Sequence, residues 1–218
     1  MKFADYTFVV SCRRHAVRRR RFTEQAVAAG LEQWGFFDAY DGEALQLATA
    51  TPSAHGRAGR PAPQPLGPGE LGCLLSHSAI WRTMAALPWH RTVCVLEDDC
   101  EFTSPTTLAA AWAAFMAEVP KGWLMVHGAG DAVLPEAEPV PVSERCARVV
   151  GSYGTRFMLL SPVASYQLAR LAGDAGAAEP ADWLLGTLFA TGRVYCPREP
   201  LFRHADAPGI GLGAPCSP

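Results

Sequence analysis

Three adjacent carboxylates, Glu97, Asp98 and Asp99, follow directly on the apolar run Thr92-Val93-Cys94-Val95-Leu96. Like charges this close repel, and each carboxyl is driven toward its protonated form unless a cation or solvent relieves it. A hard divalent cation with oxygen ligands would supply that relief. Glu97 and Asp99 are separated by one residue, so both oxygens can turn to one ion if the strand gives way to a loop; a solvated acidic turn is the plainer alternative. Asp182 follows Pro180-Ala181 at a helix start, where a carboxylate either caps the helix or accepts a proton from an attacking hydroxyl. Arg14 and Arg18 stand where a first strand passes into a first helix. A guanidinium there can pair with phosphate, and helix N-terminal amides also favour anions. Asp38 and Asp41 end a second strand and could contact a ribose hydroxyl or a base, although Asp41-Gly42 also reads as a plain turn. His77 lies on a helix with an apolar face, where a core histidine is the ordinary outcome. His127 and Asp131, beyond a later strand, are weaker candidates for substrate contact.

The elements that must position these residues alternate. Tyr6 to Ser11 is a short β-forming run, Val17 to Ala29 a helix stopped by Gly30, and Trp34 to Tyr40 a second strand, the order of a βαβ unit. Residues 49–69, rich in Ala, Pro and Gly, form no packed element of their own and are expected to loop. Apolar positions from Leu71 to Met84 fit one helical face over Glu70 to Leu87. The run Thr92 to Leu96 is the clearest buried strand, and its carboxyl end carries the triplet, at the sheet edge where α/β proteins bind ligands. Ser104 is expected to cap a helix over Pro105 to Glu118. Trp123 to His127 reads as a strand and Val149 to Leu160 as strand-like with breaks at Gly151 and Gly154, Ser161-Pro162 and Pro180-Ala181-Asp182 open helices, and Arg193 to Cys196 closes the series. From about residue 197 the chain reads as irregular. The expectation is one α/β domain over 1–218, with a mostly parallel central sheet flanked by helices.

Composition narrows the function classes. A formal charge of −2 gives no support to wholesale nucleic-acid binding, although Arg13, Arg14 and Arg18 to Arg21 concentrate basic charge near the N-terminus. Seven cysteines, an odd number without C-x-x-C spacing, speak against a zinc framework or a disulfide scaffold. No stretch approaches the roughly 20 apolar residues that span a bilayer, and Arg13-Arg14 interrupt the apolar N-terminus. The expected setting is the cytoplasm, with no transmembrane segment.

Gly69-Glu70-Leu71-Gly72-Cys73-Leu74-Leu75-Ser76-His77, then Trp81, then Val95-Leu96-Glu97-Asp98-Asp99 resembles the hallmark block of glycosyltransferase family 25. Val9-Val10-Ser11 with Arg18 and Phe22, Phe37-Asp38-Ala39-Tyr40-Asp41-Gly42, and Gly154-Thr155 with Leu159-Leu160-Ser161 and Asp182 resemble further segments of that family. The resemblance implies a GT-A-like fold, a UDP-sugar donor that is commonly UDP-galactose, and a divalent metal, manganese or magnesium. It implies Glu97, Asp99 and His204 as metal ligands, with Asp206 the substitute for His204, and Asp98 nearest the sugar. Ser11, Arg18, Asp38, Asp41, His77 and Glu97 become donor-side residues and Asp182 the base of an inverting transfer; Arg14, which has no counterpart in the family, joins the donor side only through its place between the first strand and helix. The acceptor would be a carbohydrate, a lipid-linked saccharide or a peptide. The chain is short for the family and lacks its extended basic C-terminal tail. A metal-dependent phosphoesterase or nucleotidyltransferase is the competing enzyme, though no G-x-x-x-x-G-K-[ST] loop is present. A non-catalytic sugar-nucleotide or peptide-binding module is the alternative outside enzymes.

Overall fold

The computed structural model describes residues 1–44, 66–87, 91–128, 138–174 and 179–205. Most of the expected 49–69 loop, Asp131 and Asp206 lie outside them. In chain order the elements are β1 (Tyr6–Ser11), α1 (Ala16–Ala28), β2 (Trp34–Asp38), α2 (Pro68–Ala85), β3 (Val93–Glu97), β4 (Cys100–Phe102) and α3 (Leu108–Glu118). There follow β5 (Met125–His127), β6 (Val140–Pro141), β7 (Cys146–Arg148), β8 (Phe157–Leu160), α4 (Pro162–Asp174), α5 (Ala181–Phe189), β9 (Val194–Pro197) and β10 (Phe202–His204).

Eight strands form one sheet in the order β2-β1-β3-β8-β5-β9-β7-β6. β1 pairs in parallel with β2 and β3, and β5 with β9. The other four pairings, β3 with β8, β8 with β5, β9 with β7 and β7 with β6, are antiparallel. The sheet is therefore mixed where a mostly parallel one was expected, because β8 enters between β3 and β5 in the reverse direction. The strand-like segment over 149–160 is interrupted where Gly151 and Gly154 were expected to break it. Its ordered part is Phe157–Leu160, and β7 ends before it begins.

Both faces of the sheet are covered. β3 is apolar from Val93 to Leu96 because its side chains alternate between two cores. Val93 and Val95 pack with Leu71, Leu74, Trp81 and Leu185 from α2 and α5, while Cys94 and Leu96 pack with Phe22, Trp112 and Phe115 from α1 and α3. α1 and α2 thus leave β1 and β2 toward opposite faces. The crevice outside the carboxyl ends of β1 and β3, where the strand order reverses, is the switch point at which such sheets bind ligands.

α2 opens with Pro68 in its first turn, where a missing N–H costs nothing. The Glu70 carboxylate reaches back to accept the Gly67 N–H at 2.9 Å. A Cβ on Gly72 would stand 2.5 Å from the Tyr40 carbonyl oxygen and 3.0 Å from the Gly42 nitrogen. Only glycine lets the helix lie this close to the segment after β2, and the Ser76 hydroxyl then accepts the Tyr40 N–H at 2.9 Å. The expected cap at Ser104 is displaced: α3 starts later, with Thr107 at the N-cap position.

The stretch after residue 197 is not irregular throughout. β10 pairs antiparallel with β4, setting His204 opposite Cys100. Phe202 anchors it, stacked on Phe157 at 3.9 Å between ring centroids within a cluster that also holds Phe3 and Trp112. No helix among the described residues is long and apolar enough to cross a membrane.

Candidate functional site

The alternation that builds β3 continues into the triplet and divides it. Glu97, in phase with Val93 and Val95, turns to the α2 face. Its Oε1 accepts the Thr155 hydroxyl at 2.5 Å and lies 3.3 Å from His77 Nε2 and 3.7 Å from Cys73 Sγ. Burial pushes the Glu97 carboxyl up. The hydrogen bond and charge of His77, the Thr155 hydroxyl and Arg156 outweigh burial and hold it at about 2. The strand end is fixed by the backbone, with the Glu97 N–H on the Arg156 carbonyl at 2.9 Å.

Asp98, in phase with Leu96, turns to the α1 face, and its side chain is only 6% exposed. Its Oδ2 accepts the Ser11 hydroxyl at 2.6 Å and lies 3.4 Å from His15 Nδ1; Arg18 Nη1 donates to Oδ1 at 3.4 Å. His15 sits at the N-cap position of α1 without capping the helix, which leaves its ring to Asp98. The positive end of the α1 dipole adds to the attraction for negative charge here.

Asp99 begins the turn into β4. Its Oδ2 is 3.3 Å from His204 Nε2 and 4.0 Å from Arg18 Nη1, and its Oδ1 is 3.7 Å from Arg156 Nε. The Ala205 N–H donates to the Asp99 carbonyl at 2.9 Å, so the β4–β10 pairing itself delivers His204. Asp99 Oδ1 is buried and accepts no hydrogen bond. Beside Asp98 and Asp99 opens a cleft of about 210 Å³ whose walls include Arg18, Arg21, Gln25, Glu101 and Ala205. That volume falls below the roughly 300 Å³ at which small-molecule pockets begin, so it would hold only part of a larger ligand.

At the β1–β2 crevice the arginines divide as the carboxylates do. Arg14 leaves the triplet for Asp41 at 2.9 Å and Glu43 at 3.0 Å. Asp41 also accepts the N–H groups of Glu43 and Ala44, the hydrogen bonds of a turn. Asp38 is gripped by Arg13 at 2.7 Å and Arg19 at 2.7 Å. The Arg13 hydrogen bond, then that of Arg19, holds its carboxyl at about 2. Arg19 also donates to the Ser11 carbonyl at 2.7 Å and the Ser11 hydroxyl at 3.1 Å, with its guanidinium 4.8 Å over the Phe36 ring. It therefore links the end of β2 to the residue that holds Asp98.

The structure brings together Ser11, Arg18, Asp98, Asp99 and His204. It sets Glu97 and His77 on the other side of β3, so the expected set of Glu97, Asp99 and His204 does not converge. Among the described residues, the His, Cys, Asp and Glu atoms that close within 4.8 Å belong instead to Cys73, His77 and Glu97. Asp182 lies in the first turn of α5, half-buried, behind Pro180 at the N-cap position, so it is not the capping residue. α5 packs on α2 and α4, on the Glu97 side of the sheet. His127 is 4% exposed, and its Nε2 meets the Gly154 carbonyl at 3.0 Å. Burial lowers its pKa, so the ring is neutral and donates that hydrogen bond.

His15, Arg156 and Cys73 are not among the residues expected from the sequence, and Arg19 is expected only as one of the Arg18 to Arg21 run. Cys73 carried a readable signal, being four residues from His77 on one helix. Arg156 carries none; it follows two residues after Gly154, whose φ of 93° is one that side-chain-bearing residues rarely adopt.

Comparison with known proteins adds an independent finding. The family model described as glycosyltransferase family 25 (LPS biosynthesis protein) matches residues 4–125, more than half of the chain. Over 99 residues, 43% of the chain, the sequence is 30% identical to putative glycosyltransferase R655 of Acanthamoeba polyphaga mimivirus. The match spans 28% of that relative's length.

Proposed function

The chain belongs to glycosyltransferase family 25, and on that premise we propose that it transfers a hexose, galactose, from a UDP-sugar to an acceptor hydroxyl with inversion. The observation that carries this reading is the gathering of Arg18, Arg156, His15 and His204 around Asp98 and Asp99 at the carboxyl edge of β1 and β3. Such an edge offers cations to a diphosphate and carboxylates to a metal and to sugar hydroxyls.

A divalent metal fits Asp99 and His204. Asp99 Oδ1 is a buried oxygen that accepts no hydrogen bond, and the imidazole nitrogen stands 3.3 Å from Oδ2. An oxygen-plus-imidazole donor pair suits manganese and accommodates magnesium. Held by Asp99 and His204, such an ion would supply Lewis-acid chemistry to a diphosphate leaving group. The chain's own groups do the rest. Arg18 and Arg156 add positive charge where the leaving group gathers negative charge, and this is worth most in a site that excludes water. Ser11 and Arg18 orient Asp98 toward the cleft, where it meets sugar hydroxyls. Asp38 and Asp41, at the β1–β2 crevice, are assigned to the nucleoside. Asp182 is assigned as the base that takes the acceptor proton. Glu97, tied to His77 and Thr155, holds the end of β3 in place from the far side.

The test is thermal-shift titration with UDP-hexoses, with and without manganese. At a ligand concentration about 100 times Kd, binding adds about 2.7 kcal/mol of stability. The expected result is metal-dependent stabilisation by UDP-galactose that Asp99→Ala abolishes. No stabilisation by any UDP-hexose would refute the donor assignment.

A further inference from the structure

We propose that Cys73, His77 and Glu97 form a second metal site, one for a thiophilic divalent cation of the zinc class, separate from the Asp99–His204 pair. Cys73 and His77 are four residues apart on α2 and so present their side chains one above the other. The close approach at Gly72 fixes the helix, and the phase of β3 turns Glu97 to the same face. The sulfur, the imidazole nitrogen and the carboxylate oxygen all lie within 4.8 Å of one another.

The spacing suits a tetrahedral ion. With Zn–N and Zn–O near 2.1 Å and Zn–S near 2.3 Å, tetrahedral angles put nitrogen and oxygen about 3.4 Å apart and sulfur and oxygen about 3.6 Å apart. The observed separations are 3.3 Å for His77 Nε2 to Glu97 Oε1 and 3.7 Å for Cys73 Sγ to Glu97 Oε1. Thr155 Oγ1, 3.4 Å from Cys73 Sγ and 2.5 Å from Glu97 Oε1, borders the remaining side, where a water completes the coordination. A thiolate, imidazole and carboxylate set selects a borderline-soft ion over magnesium, calcium or manganese.

The surroundings also set the strength of the site. A metal-bearing imidazole ordinarily donates its other N–H to an acceptor, and losing that partner costs about 10–100-fold in affinity. His77 is fully buried, and its Nδ1 has no hydrogen-bond partner. With three protein ligands and no such acceptor, the site binds more weakly than a closed four-ligand structural zinc site. It exchanges its ion with solution and lies one residue from Asp98.

Cobalt(II), titrated into chelator-treated protein without nucleotide, tests this directly, because thiolate ligation produces a sulfur-to-cobalt charge-transfer band in the near ultraviolet. The band is expected in the wild type, Cys12→Ser and Asp99→Ala, and zinc should bleach it. It should be lost, or require about tenfold more cobalt, in Cys73→Ser and His77→Gln. Cys73→Ala is a further variant, and circular dichroism confirms that each variant scored is folded. Absence of the band in the wild type, or an unchanged band in the folded Cys73 variants, would overturn the proposal. Neither result depends on donor binding or turnover.

Discussion

Asp38 stands between two guanidinium groups, and its charge is the most directly measurable consequence of that crevice. Its carboxyl is held at about 2 against an ordinary 3.8, first by Arg13 and then by Arg19. A pKa depressed in the folded state means that the pairing stabilises the protein above about pH 3.8. That contribution is lost as pH falls through about 2. Side-chain carboxyl NMR should give Asp38 a midpoint near 2 in the wild type and one moved toward 3.8 in Arg19→Ala. A wild-type midpoint near 3.8 would show that the pairs do not persist in solution. The same scale explains why the triplet was only half legible in the sequence. That Glu97, Asp98 and Asp99 crowd a strand end can be read from residue order. Which face each one takes depends on β3 remaining extended through Glu97, where the Arg156 carbonyl holds it from another part of the chain. The expectation that Glu97 and Asp99 share an ion assumed that the strand would fray there.

At the scale of elements, the site depends on the short ribbon of β4 and β10. Three-residue strands carry little intrinsic preference, so neither was evident as a pattern. Their pairing is enforced by aromatic packing, above all by Phe202, which is 2% exposed and stacked on Phe157. Phe202→Ala should destabilise the protein by about 3–5 kcal/mol through the cavity it leaves. It should also weaken the manganese-dependent part of donor stabilisation, because His204 follows two residues later. Urea denaturation measures the first effect and thermal shift the second. A cost below about 1 kcal/mol would mean that β10 is not anchored as described. The longer elements were legible for the opposite reason. β1, β3, α2 and α4 bury several apolar side chains each, and their periodicity survives in the sequence to within a few residues at each end.

At the scale of the molecule, the parallel half, β2-β1-β3, follows from the βαβ order, and the crevice at its switch point follows from α1 and α2 leaving to opposite faces. The other half is mixed, because β8 returns antiparallel between β3 and β5, a choice made by long-range pairing that no local window records. The family match over residues 4–125 spans β1 to β3 and the triplet, while Asp182 and His204 lie beyond it. Family and geometry together therefore support the proposed donor edge, while the proposed base, Asp182, is supported by its place at the start of α5. Asp182→Asn should lower turnover by about 10²–10⁴-fold while leaving donor stabilisation intact, which separates proton removal from binding.

Release of UDP from UDP-galactose, with and without manganese, tests the central claim most directly, since slow donor hydrolysis requires no knowledge of the acceptor. Manganese-dependent release is expected from the wild type and should be lost in Asp99→Ala. No release from any UDP-hexose with either metal, or release by Asp99→Ala at the wild-type rate, would contradict it.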